Sequence, residues 1–107
     1  MLITTTPIIE GKNIVEYKGL VTARNARAVN IFRDIFTSIR DVFGGRSGSY
    51  EKVMETMTKE MSQELMDKAS QLGANAIIGY RYDYENISSK GKSLIIVYGQ
   101  GTAVVVD

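Results

Sequence analysis

Two glycine-containing segments constrain the fold of this chain more than any other feature of its sequence. Residues 40–51 read RDVFGGRSGSYE and join two stretches of helical periodicity through a glycine-rich turn. Residues 73–79 read GANAIIG and lie where the longer helical stretch gives way to a buried strand. Glycine ends a helix readily because it adopts the left-handed conformation without a steric penalty. The two segments therefore predict two consecutive helices followed by a strand.

The apolar pattern before and between these segments defines one strand and both helices. From Asn13 to Ala23 apolar residues fall on both alternating faces, which predicts a strand covered on both sides. The first helix follows, with Asn25 as its candidate N-cap and Gly44 at its C′ position. The second, longer helix ends at Gly73. Their apolar positions recur every three or four residues: Val29, Phe32, Ile35, Phe36, Ile39 and Phe43 in the first helix, and Tyr50, Met54, Met57, Met61, Leu65, Ala69 and Leu72 in the second.

Two strands follow the second helix. The first runs from Ala74 to Glu85, and residues 86–92 form the turn after it. The second runs from Ser93 to Val106 and is apolar on both faces, with Gly99 and Gly101 at a bulge or bend. Alternation along the first of these strands predicts two faces: Ala76, Ile78, Tyr80, Tyr82 and Tyr84 on one, and Ile77, Arg81, Asp83 and Glu85 on the other.

The predicted order is strand, helix, helix, strand, strand, in one α+β domain that covers residues 1–107. A short extended arm that ends near Pro7 precedes the first strand. Two helices cover only one face of a three-stranded sheet, yet two of the strands are apolar on both faces. Because an uncovered apolar face is unfavourable in water, we expect another copy of the chain to cover it, which makes the protein a homo-oligomer.

Composition excludes several classes of function. The 107 residues carry a net charge of +1, so no surplus of cations attracts nucleic acid or anionic lipid. The sequence has no Cys and no His, which removes thiolate catalysis, the usual imidazole base and the commonest zinc ligands. No apolar run approaches the about 18 residues that a membrane-spanning helix needs. We therefore expect a cytoplasmic protein with no nucleic-acid or membrane partner, no cofactor and no tight zinc site.

A series of short motifs runs along nearly the whole chain. The motifs are Thr4–Pro7, Glu10–Gly11, Ile14–Tyr17, Arg33–Asp34, Arg40–Asp41, Gly44–Gly48, Tyr50–Glu51, Gly73–Ala76, Asp83–Glu85 and Gly101–Val104. In this order and at these spacings they resemble the YbjQ-like family of small prokaryotic proteins. The resemblance implies a two-layer β-α-α-β-β subunit with an antiparallel sheet, dodecin-like in shape and assembled as a ring, usually a pentamer. It also implies the label of a heavy-metal-binding protein, without an established biochemical activity.

Acidic side chains on the predicted strands are the first candidate site. Asp83 and Glu85 share a strand face with Arg81, and we expect Glu16 on a neighbouring strand. Their oxygens are suitable ligands for a hard cation such as Mg²⁺ or Ca²⁺. The alternative is a salt-bridged lattice between strands or subunits. An acid–base pair for catalysis would lack a nucleophile and a substrate pocket, so we do not expect an enzyme.

Soft-metal and aromatic candidates lie on the second helix and on the strand after it. Met54, Met57 and Met61 align on one helix face, where three thioethers could bind Cu(I) or Ag(I). The same spacing is that of a core stripe, which we prefer. An aromatic ladder on the strand could stack bases or a flat ligand, but packing or inter-subunit contact agrees better with the low net charge. Its members are Tyr80, Tyr82 and Tyr84.

The glycine-rich turn is a candidate anion site. Arg46 and Ser47 precede the second helix, where backbone N–H groups and a guanidinium can bind a phosphate or a carboxylate. The turn lacks the lysine ending of a P-loop and follows a helix instead of a strand. The structural alternative, which we prefer, is a tie between Arg46 and a carboxylate. The candidate partners are Asp41, Asp83 and Glu85 in the same or an adjacent subunit.

The sequence thus predicts a non-enzymatic homo-oligomeric ring that binds a metal ion or a small ligand at repeated sites between subunits. The identity of that ligand stays open. The alternative is a structural or interaction scaffold with no ligand of its own. Both agree with a chain whose only expected macromolecular partner is another copy of itself.

Overall fold

The computed structural model of the chain describes residues 1–30, 49–89 and 91–107. The elements in these ranges are β1 (Leu2–Ile3), β2 (Ile14–Asn30), α1 (Ser49–Gln71), β3 (Ala76–Ser89) and β4 (Lys92–Val106). The strands form one mixed sheet in the order β1-β3-β4-β2. β1 runs parallel to β3, whereas β4 is antiparallel to both β3 and β2. The predicted α+β class is confirmed, and α1 covers one face of the sheet. The predicted antiparallel sheet of three strands is wrong, because β1 adds a fourth strand parallel to β3. The predicted turn over residues 86–92 is too long, since β3 extends to Ser89.

β2 extends well beyond the predicted end of the first strand. Its pairing with β4 continues without a break as far as Asn30. The predicted first helix is therefore wrong over residues 25–30, and Asn25 is not an N-cap. The Asn25 amide instead donates to a carbonyl oxygen and a carboxylate of α1. Long-range pairing overrides the local helical pattern at this point. The rest of the predicted helix, residues 31–48, lies outside the described residues.

α1 forms as the sequence predicts. Its buried face consists of Met57, Met61, Leu65 and Ala69, all without exposed surface. This face packs on Val21, Ala23, Ile77, Ile95, Val97 and Ala103 of the sheet, and the two sets form the main core. The outer face carries two ion pairs between residues four apart, Glu55 with Lys59 and Glu64 with Lys68, each at 3.6 Å. α1, the helix of the described ranges, is not apolar enough to cross a membrane.

The C-terminal end of α1 has the geometry that its glycine predicts. Gly73 adopts a φ of +86°, in the left-handed region. Its N–H donates to the Ser70 carbonyl at 2.9 Å, and the Ala74 N–H donates to the Ala69 carbonyl at 3.0 Å. These two bonds form a Schellman motif, which satisfies carbonyl groups that the helix leaves without partners. The chain then turns directly into β3.

β3 contains a bulge close to its start. The register with β4 shifts between Ile78 and Arg81. Gly79 and Tyr80 therefore lie together opposite Gly101, and Gly79 adopts a φ of +60°. The extra residue reverses the two faces, so Ile78 points away from α1 whereas Tyr80 packs towards it. The predicted continuous face along this strand is wrong, because alternation holds only on each side of the bulge.

The N-terminal arm is part of the sheet. β1 pairs with the start of β3, and Thr4 extends this contact. The Thr4 N–H donates to the Ile77 carbonyl, and the Thr4 carbonyl accepts from the Tyr80 N–H, both at 2.9 Å. Farther along the chain, Ile9 and Ile14 pack on a small second cluster of Ala76, Ile78, Val104 and Val106. One end of the sheet is thus covered on the side opposite α1.

The chain is long and narrow. Its principal extents are 51 × 26 × 19 Å, and the radius of gyration of its Cα atoms is 17.4 Å. A compact chain of about 100 residues has a radius of gyration of about 13 Å. The difference reflects the length of β2, β3 and β4, whose paired ends reach well past the small second cluster. Within residues 1–30, 49–89 and 91–107, no element covers the side of this long part of the sheet that faces away from α1.

Candidate functional site

The sheet face opposite α1 has an exposed part, which we call the open face. Along β4, residues that pack on α1 alternate with residues that point the other way, as successive side chains of a strand do. The pairing registers align the residues of β2, β4 and β3 that point away from α1 in four rows. The rows are Thr22–Gln100–Arg81, Arg24–Tyr98–Asp83, Ala26–Ile96–Glu85 and Ala28–Leu94–Ile87. These twelve residues define the open face.

The first two rows form the polar half of the open face. All six of their side chains line one depression with a volume of ≈ 640 Å³. This volume lies within the range of small-ligand sites, about 300–1,000 Å³. Arg24 and Arg81 bring positive charge to the depression from the two outer strands, and Asp83 brings negative charge. Glu64 and Lys68 of α1 also line it and pair with each other at 3.6 Å. The polar half is therefore a concave surface with several hydrogen-bonding groups.

The other two rows form the apolar half, which lies nearer the β3–β4 turn. Ile87 is 56% exposed and Leu94 is 38% exposed, although both are large apolar residues. Ala26 and Ala28 beside them are exposed as well, and Glu85 is the charged member of these rows. The apolar side chains of these two rows are contiguous and form one exposed apolar surface.

Tyr98 lies in the middle of the polar half, between Arg24 on β2 and Asp83 on β3. Its ring is partly buried, with 39% of the residue exposed. This partial burial raises the pKa of Tyr98 above its ordinary value, and the negative charges of Asp83 and Glu85 raise the pKa further. A tyrosine is neutral at neutral pH and the raised pKa extends that range, so the Tyr98 hydroxyl can donate a hydrogen bond.

The predicted acidic candidates of β3 share one face, as strand alternation requires. Asp83 lies opposite Tyr98 and Glu85 lies opposite Ile96, and both point to the same side as Arg81. One oxygen of Asp83 accepts a hydrogen bond from the Tyr84 N–H at 2.8 Å. The two carboxylates thus sit at one side of the open face, next to its polar depression.

Glu16 does not join them, and its predicted proximity to the β3 carboxylates is wrong. β2 pairs with β4, and Glu16 lies opposite Val105. Val105 is seven residues from Tyr98 along β4, or roughly 23 Å, so Glu16 and Asp83 lie far apart. The Glu16 carboxylate accepts instead from Lys18 at 2.8 Å. The order of the strands, which local patterning does not reveal, separates these residues.

Arg46 and Ser47, the candidates of the glycine-rich turn, lie outside the described residues. The proposed partner Asp41 lies outside them as well. The anion-binding and structural interpretations of this turn therefore both stay predictions.

The described residues do not fit a heavy-metal site. Met57 and Met61 have no exposed surface and pack in the main core, with Met54 partly buried beside them, which favours the packing interpretation. The sequence has no Cys and no His. Within residues 1–30, 49–89 and 91–107, no group of three or more carboxylates comes close enough to hold a metal ion. The thiolate and imidazole ligands that heavy metals prefer are missing from this chain.

The tyrosine ladder lies on the side of β3 that faces α1. The Tyr80 hydroxyl shares a hydrogen bond of 2.8 Å with the Ser62 hydroxyl, and the Tyr80 and Tyr82 rings are 5.9 Å apart. Tyr82 and Tyr84 are each 54% exposed and line a groove beside Met54. Tyr80 thus serves packing, whereas the outer two rings keep one free side.

Sequence patterns alone do not single out four of the six residues of the polar half, namely Thr22, Arg24, Tyr98 and Gln100. Arg24 lies between Ala23, where the predicted first strand ends, and Asn25, the predicted N-cap, so the pattern assigns it to no face. Tyr98 and Gln100 lie on the last strand, which is predicted to be apolar on both faces. The available signal was the alternation of the last strand, which puts Tyr98 and Gln100 on one face. Placing Arg24 beside them requires knowing that β2 pairs with β4.

Comparison with known proteins gives consistent matches over the full length. A family model described as "Putative heavy-metal-binding" matches residues 1–107. A UPF0145 protein of Pasteurella multocida is 48% identical over 106 residues, which cover 99% of each chain. A UPF0145 protein of Persephonella marina is 46% identical over 107 residues and 100% of each chain. The crystal structure of a protein with unknown function from Pediococcus pentosaceus, of the DUF74 family, has a TM-score of 0.72 at 27% identity and covers 100% of this chain and 98% of that one.

Proposed function

The chain belongs to the YbjQ-like family, and from its structure we propose that it functions as a closed homo-oligomeric ring that binds a small ligand without catalysing a reaction. The family resemblance gives five as the expected number of subunits and a dodecin-like shape for each. We do not propose a catalytic function, because the sequence lacks both Cys and His, which supply the commonest nucleophile–base pairs. The ligand is an organic molecule in this proposal, since the described residues do not fit a heavy metal.

The observation that carries the proposal is a pair of strand edges on opposite sides of the sheet. Among the described strands, β2 is the outermost on one side of the sheet. On the other side β1 pairs with β3 at Ala76 and Ile77, and Thr4 and Thr6 extend this contact to Tyr80, so within the described ranges the outer edge of β3 is unpaired beyond Tyr80. An unpaired edge presents N–H and C=O groups to another chain. Two different edges, one per side, favour a head-to-tail contact, which closes into a ring when the rotation between copies allows it.

The exposed apolar half of the open face supports the same conclusion. Its large residues, Ile87 and Leu94, lie on β3 and β4 near the tip of the long hairpin. Neighbouring copies joined along their strand edges would bring these surfaces side by side. Burying apolar surface stabilises such a contact by about 25 cal/mol for each Å² removed from water.

Ala26 offers a direct test of edge pairing. The Thr22 carbonyl accepts a hydrogen bond from the Lys68 ammonium at 2.7 Å, so it points out of the β2 edge. Two and four residues farther along the strand, Arg24 and Ala26 have their N–H and C=O groups on that same outer side. Ala26→Pro removes an outward N–H and leaves the bonds between β2 and β4 intact.

We expect the wild-type protein to form a ring at micromolar concentration, and we expect Ala26→Pro to dissociate it into smaller species. Light scattering coupled to size exclusion measures the mass of both. Ala26→Ser is the matched control, because it keeps the N–H and should keep the ring. Circular dichroism verifies that Ala26→Pro remains folded. A folded Ala26→Pro variant with the mass of the wild type would contradict assembly through this edge.

A scaffold without a ligand is the second candidate function. It is favoured by the lack of a metal-binding cluster in the ranges that the structure describes. Native mass spectrometry of the protein as isolated separates the two functions. Extra mass retained on each subunit supports a ligand-binding ring, whereas a bare multiple of the 11.8 kDa chain supports the scaffold.

A further inference from the structure

We propose that the polar half of the open face binds a small molecule through an oxyanion group, a phosphate or a carboxylate, held between Arg24 and Arg81. This inference rests on the proposed function for the existence of a small ligand, and it adds the chemical class of that ligand and the residues that contact it. All of these residues belong to one copy of the chain.

The two arginines stand on either side of the same strand. Arg24 on β2 lies opposite Tyr98, and Arg81 on β3 lies opposite Gln100. Adjacent strands are about 4.8 Å apart, and residues two apart along a strand are separated by about 7 Å. The Cα atoms of the two arginines are therefore roughly 12 Å apart, with Tyr98 and Gln100 between them. Two long guanidinium side chains can converge on one group across this distance.

The arginines are available for a ligand as far as the structure describes their surroundings. The ion pairs among the described residues involve Lys18, Arg27, Lys59 and Lys68, and none of them involves Arg24 or Arg81. A guanidinium presents several N–H donors in a planar arrangement that matches the two oxygens of a carboxylate or a phosphate. Both cations also line the same depression of ≈ 640 Å³.

The remaining groups of the depression are suited to the same ligand. Thr22, Tyr98 and Gln100 each carry a side chain that can donate a hydrogen bond, and all three line the depression. The Tyr98 phenol is neutral at neutral pH, as for any tyrosine, and its raised pKa extends this range to higher pH. The oxygens of a phosphate or a carboxylate can accept hydrogen bonds from all three of these side chains.

Asp83 narrows the class of ligand further. Its carboxylate lines the depression on the side opposite Arg24, and Glu85 occupies the next row. Glu64 of α1 also lines the depression, where it pairs with Lys68 at 3.6 Å. The carboxylates of Asp83 and Glu85 therefore disfavour a ligand that is anionic throughout. They favour a molecule that carries a hydroxyl or an amino group next to its oxyanion, because such a group can donate to Asp83.

The test is calorimetric titration of the full chain with inorganic phosphate, and separately with acetate, at constant ionic strength set with sodium chloride. Arg24→Gln and Arg81→Gln each remove one guanidinium and keep a polar side chain. Arg27→Gln is the matched control, since Arg27 lies on the same strand but faces α1, where it pairs with Glu60 at 3.5 Å. The mass of each variant is measured in the same samples.

We expect wild type and Arg27→Gln to bind at least one of the two anions with equal affinity. Arg24→Gln and Arg81→Gln should each bind it about tenfold more weakly, as expected for the loss of a charge-assisted hydrogen bond. The stronger of the two anions shows whether a phosphate or a carboxylate is preferred. Equal binding by all variants, or no binding of either anion by the wild type, overturns the proposal.

A further outcome would also overturn the proposal. If Arg24→Gln and Arg81→Gln dissociate the ring and the wild type binds neither anion, the two arginines pair with carboxylates of a second copy. The ring itself is judged separately from the wild-type mass, so failure of the oxyanion site and failure of the assembly give different results. A monomeric wild type that binds phosphate through Arg24 would keep this inference and contradict the ring.

Discussion

Gly99 and Gly101 of β4 each allow a different neighbour to pack closely against this strand. The sequence predicts a bulge or bend in their own strand, but the bulge lies in β3 and faces Gly101. Both glycines are required by close packing. A Cβ atom at Gly99 would lie 2.5 Å from the Met61 sulfur, and one at Gly101 would lie 2.5 Å from the Ile77 Cγ2. The absence of a side chain therefore lets α1 and the β3 bulge approach β4.

These two contacts predict unequal effects of the same substitution. Gly101→Ala should lower the free energy of unfolding by about 1–3 kcal/mol, because Ile77 is branched at Cβ and cannot move its methyl group away. Gly99→Ala should cost less, since the unbranched Met61 side chain can adopt another rotamer. Urea denaturation of both variants at one fixed protein concentration measures the difference. Equal losses, or a larger loss for Gly99→Ala, would show that the packing around Gly101 has been misinterpreted.

The raised pKa of Tyr98 predicts how the stability of the folded protein depends on pH. Its pKa in the folded protein is raised, so the neutral phenol contributes stability that is complete below about pH 10, the unfolded value. That contribution is lost as the pH rises through the higher folded-state pKa. Spectroscopic titration of phenolate formation should show a late-titrating tyrosine that disappears in Tyr98→Phe.

Asp83→Asn should lower the midpoint of this late titration only in part, because partial burial is the leading cause of the shift and the Asp83 charge comes second. Asp67→Asn is the control, since that carboxylate lies on the outer side of α1. A Tyr98 midpoint at or below pH 10, or one that Asp83→Asn raises, would be inconsistent with the described surroundings.

At the scale of elements, the parts that the sequence predicts best are those with a long and regular pattern. α1 has about six turns of regular apolar spacing and a glycine at its end, and both the helix and its termination at Gly73 are confirmed. β4 begins one residue before its predicted start and ends at Val106 as predicted. In these segments local preference and tertiary packing favour the same structure.

Local sequence patterns predict the wrong structure where pairing between distant segments determines it. Residues 25–30 have a helical apolar pattern and a suitable N-cap, yet pairing with β4 draws them into β2. The bulge at Gly79 and Tyr80 reverses a face that simple alternation extends across it. β1 is two residues long, too short to produce a pattern. Such features depend on contacts between distant parts of the chain.

The same division applies to the candidate site. Alternation along one strand was sufficient to group Arg81, Asp83 and Glu85, because these residues follow one another on β3 beyond its bulge. Alternation along β3 does not predict that Arg24 of β2 lies near these residues, and it does not predict that Glu16 lies far from them. The order of the strands decides which side chains are neighbours on a sheet. In this fold β2 and β3 lie on opposite sides of β4.

At the scale of the whole molecule, two features of the described ranges support the same mode of assembly. They are the exposed end of the β3–β4 hairpin and the unpaired edges of β2 and β3. The paired ends of β2, β3 and β4 extend the chain to 51 Å and expose apolar residues that a monomer has no means to cover within the described ranges. Edge pairing between copies would satisfy the backbone groups of both edges. A ring formed in this way repeats the polar depression once per subunit.

Native mass spectrometry of the unmodified protein at micromolar concentration tests the central claim most directly, because it counts the subunits in each particle. We expect one dominant closed species, most simply five copies of the 11.8 kDa chain, that persists on dilution to low micromolar concentration. A stable, folded monomer as the dominant species at that concentration would contradict the ring.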